Sequence, residues 1–504
     1  MTVETAGFVS ADDLPRGVAV GARGGWLRGL VIAAGLGWAV LFIVVGVAWR
    51  LQLYADGSIF SYSVAVRAGW AFHFRDIASR LFVFVSSHLP AETYVALTGD
   101  ARGGIALYGL FFFAAPLAGL LATLAADRSN GRVIFCSACL STAMLCPMVF
   151  GFPTEMWIAH SVFWPALALS HYTRRGLAGG TILFATLLAL AFTHEGGLVL
   201  AVAIVATVAL RGLRNPAFLR ALGALVVVLA IWAAVRVTVQ PEDYYARIIP
   251  AAAFNFIDAA NLLTMPFVVL LLAALASYAA AFMLLRGRAP GHAAAVAGAV
   301  VALGLAVYWL WFDRSLHTQD RYYVRTAMLF ATPALGVLAA LCALRAEGAL
   351  RLASPVLARL ASLLAERAMG LVHGNAARAA AGALALVMLV YAVETTKFVT
   401  AWSRYESALK ALAMGSASDP GLGSPRFVSS ERIGADLNRL SWSSTTHFLS
   451  VLLAPQFAPA RLVVDPTAGY FWLTCAQATA SEKADRPIPV ESRRLIRLHA
   501  CLHR

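Results

Sequence analysis

Acidic residues that could take part in catalysis lie beside, not inside, the long apolar runs of this sequence. Asp56 follows the first run by about six residues, and Glu155 and Glu195 lie in short turns between later runs. An ionised carboxylate can accept a proton from an attacking hydroxyl group. Asp56 is also a natural N-cap for a helix starting at Gly57 or Ser58, and the two glutamates also fit solvated turns. An acid beside a bilayer is costly unless paired or hydrated, which favours a role for both glutamates.

Two further polar residues accompany these acids. Asp76 lies four residues before Arg80, a spacing that fits a local helix salt bridge. His194 precedes Glu195, and both residues are candidates for binding substrate. His194 lacks a second histidine at helical spacing, so the indication of a zinc site is weak.

A basic and aromatic segment, residues 311–325, is the candidate for binding a phosphate group. Its candidate binding residues are His317, Asp320, Arg321 and Tyr322. Arginine offers a fork of donors that matches phosphate oxygens. The alternative is a belt of arginine and tyrosine that anchors helices at the level of the lipid headgroups. Arg236 is a weaker instance of the same pattern.

The elements that must position these residues are membrane helices. The chain has 504 residues, of which 60% are hydrophobic and 13% charged, whereas soluble domains carry about a quarter charged residues. This composition excludes a soluble enzyme, a coiled coil and a disordered chain. The apolar runs predict an all-α polytopic protein with about eleven transmembrane helices. They lie near 27–49, 104–126, 133–150, 156–170, 177–193, 197–210, 219–239, 264–285, 294–312, 326–344 and 379–396.

The distribution of charge predicts how the chain is oriented. With the N-terminus inside, the inner segments hold 17 of the 40 Lys and Arg residues, the outer loops 10 and the C-terminal tail 13. The positive-inside rule therefore favours an inner-membrane protein with its N-terminus in and its C-terminus out. We attribute the net charge of +14 to basic residues that set the membrane topology. We therefore predict no nucleic-acid partner. Acids concentrate in the outer loops, so the site is expected to face outward.

Three regions follow from this topology. Residues 1–26 form a cytoplasmic arm, 27–396 the transmembrane domain, and 397–504 a small outer α+β domain. Aromatic residues at helical spacing predict interfacial helices in the large first outer loop, 50–103. The inner loop 345–378 also has the pattern of an interfacial helix. Cys475 and Cys501 are predicted to form a disulfide in the outer tail, the alternative being two packed thiols.

In this layout the chain resembles the C-type polytopic glycosyltransferases, the GT-C superfamily. The resemblance covers the whole chain and rests on the number of spans, the orientation, the large first outer loop with its early aspartate, and the outer C-terminal domain. It implies a sugar donor linked to polyprenyl phosphate and a catalytic carboxylate in the first outer loop, which by position is Asp56. The acid is followed by Gly57 instead of the second acid that some members have, so Asp76 stays a rival.

The resemblance implies transfer of the sugar to an envelope glycan, lipid or protein, with the lipid bilayer and the lipid-linked sugar as partners. A divalent metal is left open as a cofactor, and no metal ligand is assigned. The alternatives are a transporter or flippase of lipid-linked sugars and a non-catalytic subunit of envelope polysaccharide assembly. Clustering of Asp56, Glu155, Glu195 and Arg321 in one outer cavity would favour the enzyme, and a polar pore through both leaflets would favour transport.

Overall fold

The computed structural model describes ten stretches of the chain. They are residues 25–150, 154–173, 176–239, 265–287, 292–313, 325–352, 354–415, 427–442, 445–457 and 459–464. Six residues named above lie outside them, namely His317, Asp320, Arg321, Tyr322, Cys475 and Cys501. The backbone of Asp76 is described and its side chain is not.

The described part of the chain is overwhelmingly helical. The helices of eight or more residues are α1 Gly25–Ala48, α2 Asp56–Val66, α3 Leu89–Thr98, α4 Ala101–Ala126, α5 Val133–Val149, α6 Glu155–Tyr172, α7 Leu177–Ala191, α8 Glu195–Val208, α9 Pro216–Thr238, α10 Pro266–Leu285, α11 Ala293–Val307, α12 Arg325–Ala346, α13 Pro355–Gly370, α14 Gly374–Met414 and α15 Thr446–Leu453.

Seven of these helices are long and apolar enough to cross a membrane, counting only the described residues. They are α1, α4, α9, α10, α11 with the π-helical turn Tyr308–Phe312, α12 and α14. Each coincides with a span predicted from the sequence. The prediction of a multi-pass membrane protein built mainly of helices is confirmed.

The other four predicted spans are also helices, but they are shorter or less apolar. Helices α5, α6, α7 and α8 have 17, 18, 15 and 14 residues. At about 1.5 Å of rise per residue, the shortest spans about 21 Å, against about 30 Å of hydrocarbon. Helix length and composition alone therefore support seven spans, and the count of eleven stays a prediction.

Small residues let the first helices pack closely. A Cβ atom at Gly35 of α1 would lie 2.5 Å from the Cys139 carbonyl oxygen of α5, so only glycine permits this approach. Nearby, the Trp157 ring lies 5.0 Å from Phe42 and 5.2 Å from Phe112 between centroids. The Trp157 indole nitrogen donates to the Phe112 carbonyl at 3.1 Å, which satisfies its buried polar group.

The loop between α1 and α4 folds into the protein. Helix α2 is buried from Gly57 to Val64 and packs against α4 and α15. The loop then passes through two π-helical turns, Phe72–Asp76 and Phe84–His88, before α3. Segments of this kind are uncommon and are frequent at functional sites.

The C-terminal part lies over α2. Strands β1, Phe427–Ser429, and β2, Leu462–Val464, form a two-stranded parallel sheet in which Val428 pairs with Val463. The Ser58 hydroxyl donates to the Thr445 carbonyl at 3.2 Å. Arg102 donates to the Ala454 carbonyl at 2.8 Å. These contacts hold the start of α2 between the membrane helices and the tail.

Candidate functional site

Three candidate carboxylates each occupy the first residue of a helix. Asp56 begins α2, Glu155 begins α6 and Glu195 begins α8. The Thr154 hydroxyl caps α6 by accepting from the Met156 amide at 3.3 Å, and His194 Nδ1 caps α8 by accepting from Gly196 at 3.0 Å. A helix N-terminus carries partial positive charge, so the first position of a helix is a favourable place for a carboxylate.

Arg80 joins two of these carboxylates. It ends the short 3-10 turn Ala78–Arg80. Its Nη1 atom lies 2.7 Å from Glu155 Oε1, and its Nη2 atom lies 3.4 Å from Glu195 Oε2. The Glu155 side chain is 2% exposed and that of Glu195 is 24% exposed. A charge so deeply buried as Glu155 is tolerated because it is paired.

Backbone contacts fix the distance between these segments. The Phe82 amide, two residues after Arg80, donates to the Phe192 carbonyl at 2.9 Å. A Cβ atom at Gly196 would lie 3.0 Å from both Met156 Sδ and Leu329 Cδ1. The glycine therefore allows the N-terminal ends of α6, α8 and α12 to meet.

His194 and Arg325 extend the cluster. Burial lowers the pKa of His194 to about 4, against the opposing effect of Glu195, so the ring is neutral near pH 7. Its Nδ1 atom lies 3.5 Å from Glu195 Oε2. Arg325 is 6% exposed at the start of α12 and lies within electrostatic range of His194. The cluster thus holds two arginines and a neutral histidine around two glutamates.

Tyr108 of α4 connects Asp56 to this cluster. Its side chain is fully buried and lies within electrostatic range of both Asp56 and Glu155. Its hydroxyl has no hydrogen-bond partner within the described stretches. Asp56 itself is partly exposed. The preceding residue, Ala55, has φ 50° and ψ −130°, a conformation that costs about 1–3 kcal/mol for a residue with a side chain and is found where a site requires it.

Two buried histidines, His73 and His88, lie close to Tyr108. The rings of His73 and His88 are 4.4 Å apart between centroids, and His88 is 4.7 Å from the Tyr108 ring. Burial lowers the pKa of His73 to about 4 and that of His88 well below its ordinary value. His73 Nδ1 is bonded to the Gly69 carbonyl at 2.9 Å, which makes Nδ1 the protonated nitrogen. The pair is therefore neutral and contributes shape and polarity, not charge.

An apolar groove lies between α4, α6 and α7. Its volume is about 800 Å³, and its lining includes Phe82, two residues after Arg80, and Ile158, three residues after Glu155. It follows α4 from Phe111 to Ala126, which is about 22 Å at 1.5 Å per residue. The facing walls belong to α6 and α7, and small side chains such as Ala118 keep it open. The length and apolar lining of the groove suit a long apolar chain.

The structure brings together some of the residues predicted from the sequence. Glu155, Glu195 and His194 meet around Arg80, and Asp56 adjoins them through Tyr108. Arg236 lies in the last turn of α9, with its guanidinium 5.8 Å from the Trp232 ring centroid. Helix α9 packs against the turn Ala78–Arg80. The side chain of Asp76 and the 317–322 cluster lie outside the described part, so their roles stay predictions.

Sequence reasoning missed three members of the cluster. The four-residue spacing predicts only a local bridge from Arg80 to Asp76, whereas the partners of Arg80 in the described residues include Glu155 and Glu195 from distant turns. The sequence places Arg325 only within a basic segment. Nothing in the sequence distinguishes Tyr108 from the apolar residues of its span. The available clue to Arg80 is that two aromatic residues, Phe82 and Phe84, closely follow it in the chain. No group of three or more His, Cys, Asp or Glu side chains in the described ranges could hold a metal ion.

Comparison with known proteins gives no match: no family model, curated protein or solved structure resembles this chain significantly.

Proposed function

We propose that this chain is a membrane glycosyltransferase that moves a sugar from a polyprenyl-phosphate carrier to an envelope acceptor on the outer face of the membrane. The observation that supports this most directly is the Arg80 cluster together with an apolar groove formed by the same segments of the chain. Arg80 is paired with two helix-N-terminal glutamates, and Phe82 and Ile158, two residues after Arg80 and three after Glu155, line the groove. A polar cluster and a lipid-sized groove on the same segments suit a substrate with a charged head and an isoprenoid tail.

The proposed roles follow from the positions of the groups. Asp56 is partly exposed and acts as the base that takes the proton from the acceptor hydroxyl as it attacks the anomeric carbon. Arg80 and Arg325 stabilise the negative charge that develops on the departing lipid phosphate. Glu155 and Glu195 hold Arg80 in place. Arg321 is proposed as an additional phosphate ligand.

We also propose that α5 to α8 complete an eleven-span arrangement with the N-terminus inside and the C-terminus outside. An alkaline phosphatase fused after Arg504 would then be active in a bacterial host, because this reporter folds only outside the cytoplasm. An active fusion at the N-terminus together with an inactive fusion after Arg504 would overturn this orientation.

The test of catalysis is the substitution Asp56→Asn. Transfer from a radiolabelled polyprenyl-phosphate sugar in reconstituted vesicles should fall by about 10²–10⁴-fold, because the amide cannot accept the proton. Asp100→Asn is the matched control: Asp100 lies in the same loop and caps α4 by accepting from Gly103 at 3.0 Å, and asparagine caps equally well. Near-normal transfer by Asp56→Asn would move the role to Asp76 or Glu155. Movement of donor across the bilayer with no transfer would favour the transporter.

The test of the groove is the substitution Ala118→Phe. The larger side chain should fill part of the groove and reduce the polyprenyl phosphate that co-purifies with the protein, as measured by mass spectrometry. Leu121→Phe is the control, because Leu121 is on the same helix and 54% exposed but does not line the groove. Equal lipid retention in the two variants would exclude the groove as the carrier site.

A further inference from the structure

Helix α13 is not one of the seven candidate membrane spans, yet one of its faces is apolar and exposed. Five large apolar side chains are between 44% and 66% exposed, namely Val356, Leu357, Leu360, Leu363 and Leu364. The opposite face is made of small residues. Ala361 and Ala365 are buried against Leu341 and Cys342 of α12. The helix is therefore bound to the protein on one side and presents leucine on the other.

The neighbouring helices fix where α13 lies. Helix α12 ends at Ala346 and α14 begins at Gly374, and both are long and apolar enough to cross the membrane. Only residues 347–354 and 371–373 connect α13 to them. Links this short keep a helix of 16 residues, about 24 Å long, at the membrane surface. A helix with one apolar face in that position lies in the headgroup plane with its leucines toward the acyl chains.

The charges around this face are mostly positive. Residues 345–378 contain five arginines and two glutamates. Both glutamates are paired, Glu347 with Arg211 at 3.3 Å and Glu366 with Arg345 at 2.8 Å. Arg359 and Arg367 are exposed on α13 beside the leucine row. Their guanidinium groups can reach lipid phosphates while the leucines enter the bilayer.

We propose that α13 is a binding surface for anionic phospholipid in the leaflet that it faces. The leucine row supplies insertion, and Arg359 and Arg367 supply preference for negative headgroups. Basic residues at an anionic surface each contribute roughly a fivefold preference, so the pair contributes about 25-fold. This binding is independent of the proposed transferase activity.

The first experiment measures the charge preference. Full-length protein is purified with a mixture of phosphatidylglycerol and phosphatidylcholine, and the retained lipids are quantified by native mass spectrometry. The preference for phosphatidylglycerol over phosphatidylcholine should be about 25-fold lower in the variant R359Q/R367Q than in the unmodified protein. R439Q removes an exposed arginine from the C-terminal part of the chain and should retain it. An unchanged preference in R359Q/R367Q would overturn the proposal.

The second experiment identifies what covers the leucine face. A benzophenone side chain is placed at position 360 or at position 362 in protein reconstituted into vesicles. These positions are about 200° apart around the helix, and Ser362 is on the less exposed side. Illumination should attach phospholipid at position 360 and not at 362. Attachment of a second protein chain at 360, or equal lipid attachment at both positions, would overturn the proposal.

Discussion

Replacement of Arg80 by methionine tests whether the buried ion pair organises the site. Arg80 Nη1 lies 2.7 Å from Glu155 Oε1, and both side chains are largely buried, at 11% and 2% exposure. Methionine is apolar, of similar length and compatible with the same backbone. The substitution leaves Glu155 as a buried charge whose Arg80 partner is gone, and this loss is what destabilises the protein.

The magnitude can be estimated from this geometry. Two unit charges about 4 Å apart interact by about 4 kcal/mol at an effective dielectric constant of 20. Breaking a buried pair by removing one partner costs about 3–5 kcal/mol in measured cases. The second contact, from Arg80 to Glu195, adds less than about 1 kcal/mol, because Glu195 is 24% exposed and screened by water. We expect Arg80→Met to lose about 3–5 kcal/mol of unfolding free energy.

The assay is equilibrium unfolding of the purified protein in mixed micelles with increasing sodium dodecyl sulfate, followed by tryptophan fluorescence. Arg345→Met is the matched control. Arg345 forms an ion pair with Glu366 at 2.8 Å, but the two side chains are 46% and 50% exposed. Removing that pair should cost less than about 1 kcal/mol. The two substitutions are chemically identical, so burial is the difference that they measure.

A double variant makes this test specific to the pair. Glu155→Gln removes the orphaned charge, so Arg80→Met with Glu155→Gln should be more stable than Arg80→Met alone by about 2 kcal/mol or more. Equal losses for Arg80→Met and Arg345→Met would refute the reasoning. So would a double variant whose loss is the simple sum of the two single losses.

Three further predictions concern the surroundings of the site. Ala55→Gly should stabilise the protein by about 1 kcal/mol in the same assay, because glycine adopts φ 50° without strain; a loss would contradict the strained backbone. Tyr108→Phe should leave stability unchanged or raise it by up to about 1 kcal/mol, because the buried hydroxyl has no partner among the described residues; a larger loss would reveal a bound water or ligand. The free energy of unfolding should fall as the pH is lowered from 6.5 to 4, by about 3 kcal/mol each for His73 and His194. The unfolded chain binds their protons at pH 6.5, whereas the folded protein binds them only near pH 4. A flat profile over that range would contradict their burial.

Glu92 should oppose this pH dependence in part. Burial raises its pKa to about 7, and its carboxylate accepts from the Gly69 amide at 2.6 Å. The folded protein therefore holds a proton on Glu92 that the unfolded chain releases above pH 4.5, so this group favours the folded state at low pH and loses that effect as the pH rises toward 7.

The sequence by itself determined the membrane helices, because burial in lipid demands long apolar runs that can be read directly. The predicted spans near 27–49, 104–126 and 264–285 match α1, α4 and α10 to within about three residues. It also selected Asp56, Glu155 and Glu195 as acids at the ends of apolar runs. Local sequence suffices for these features because each depends on neighbours along the chain.

Only the tertiary structure decided which polar residues meet. Arg80 lies 75 and 115 positions from Glu155 and Glu195, and no local spacing encodes such pairs. The sequence pattern favoured Asp76, four residues away, because periodicity reports only neighbours on the same helix. Tyr108 and the groove along α4 were likewise hidden, since one apolar span looks like another until helix packing shows which faces meet. The site arises from helix N-termini brought together by packing, and packing depends on contacts between segments that are distant in sequence.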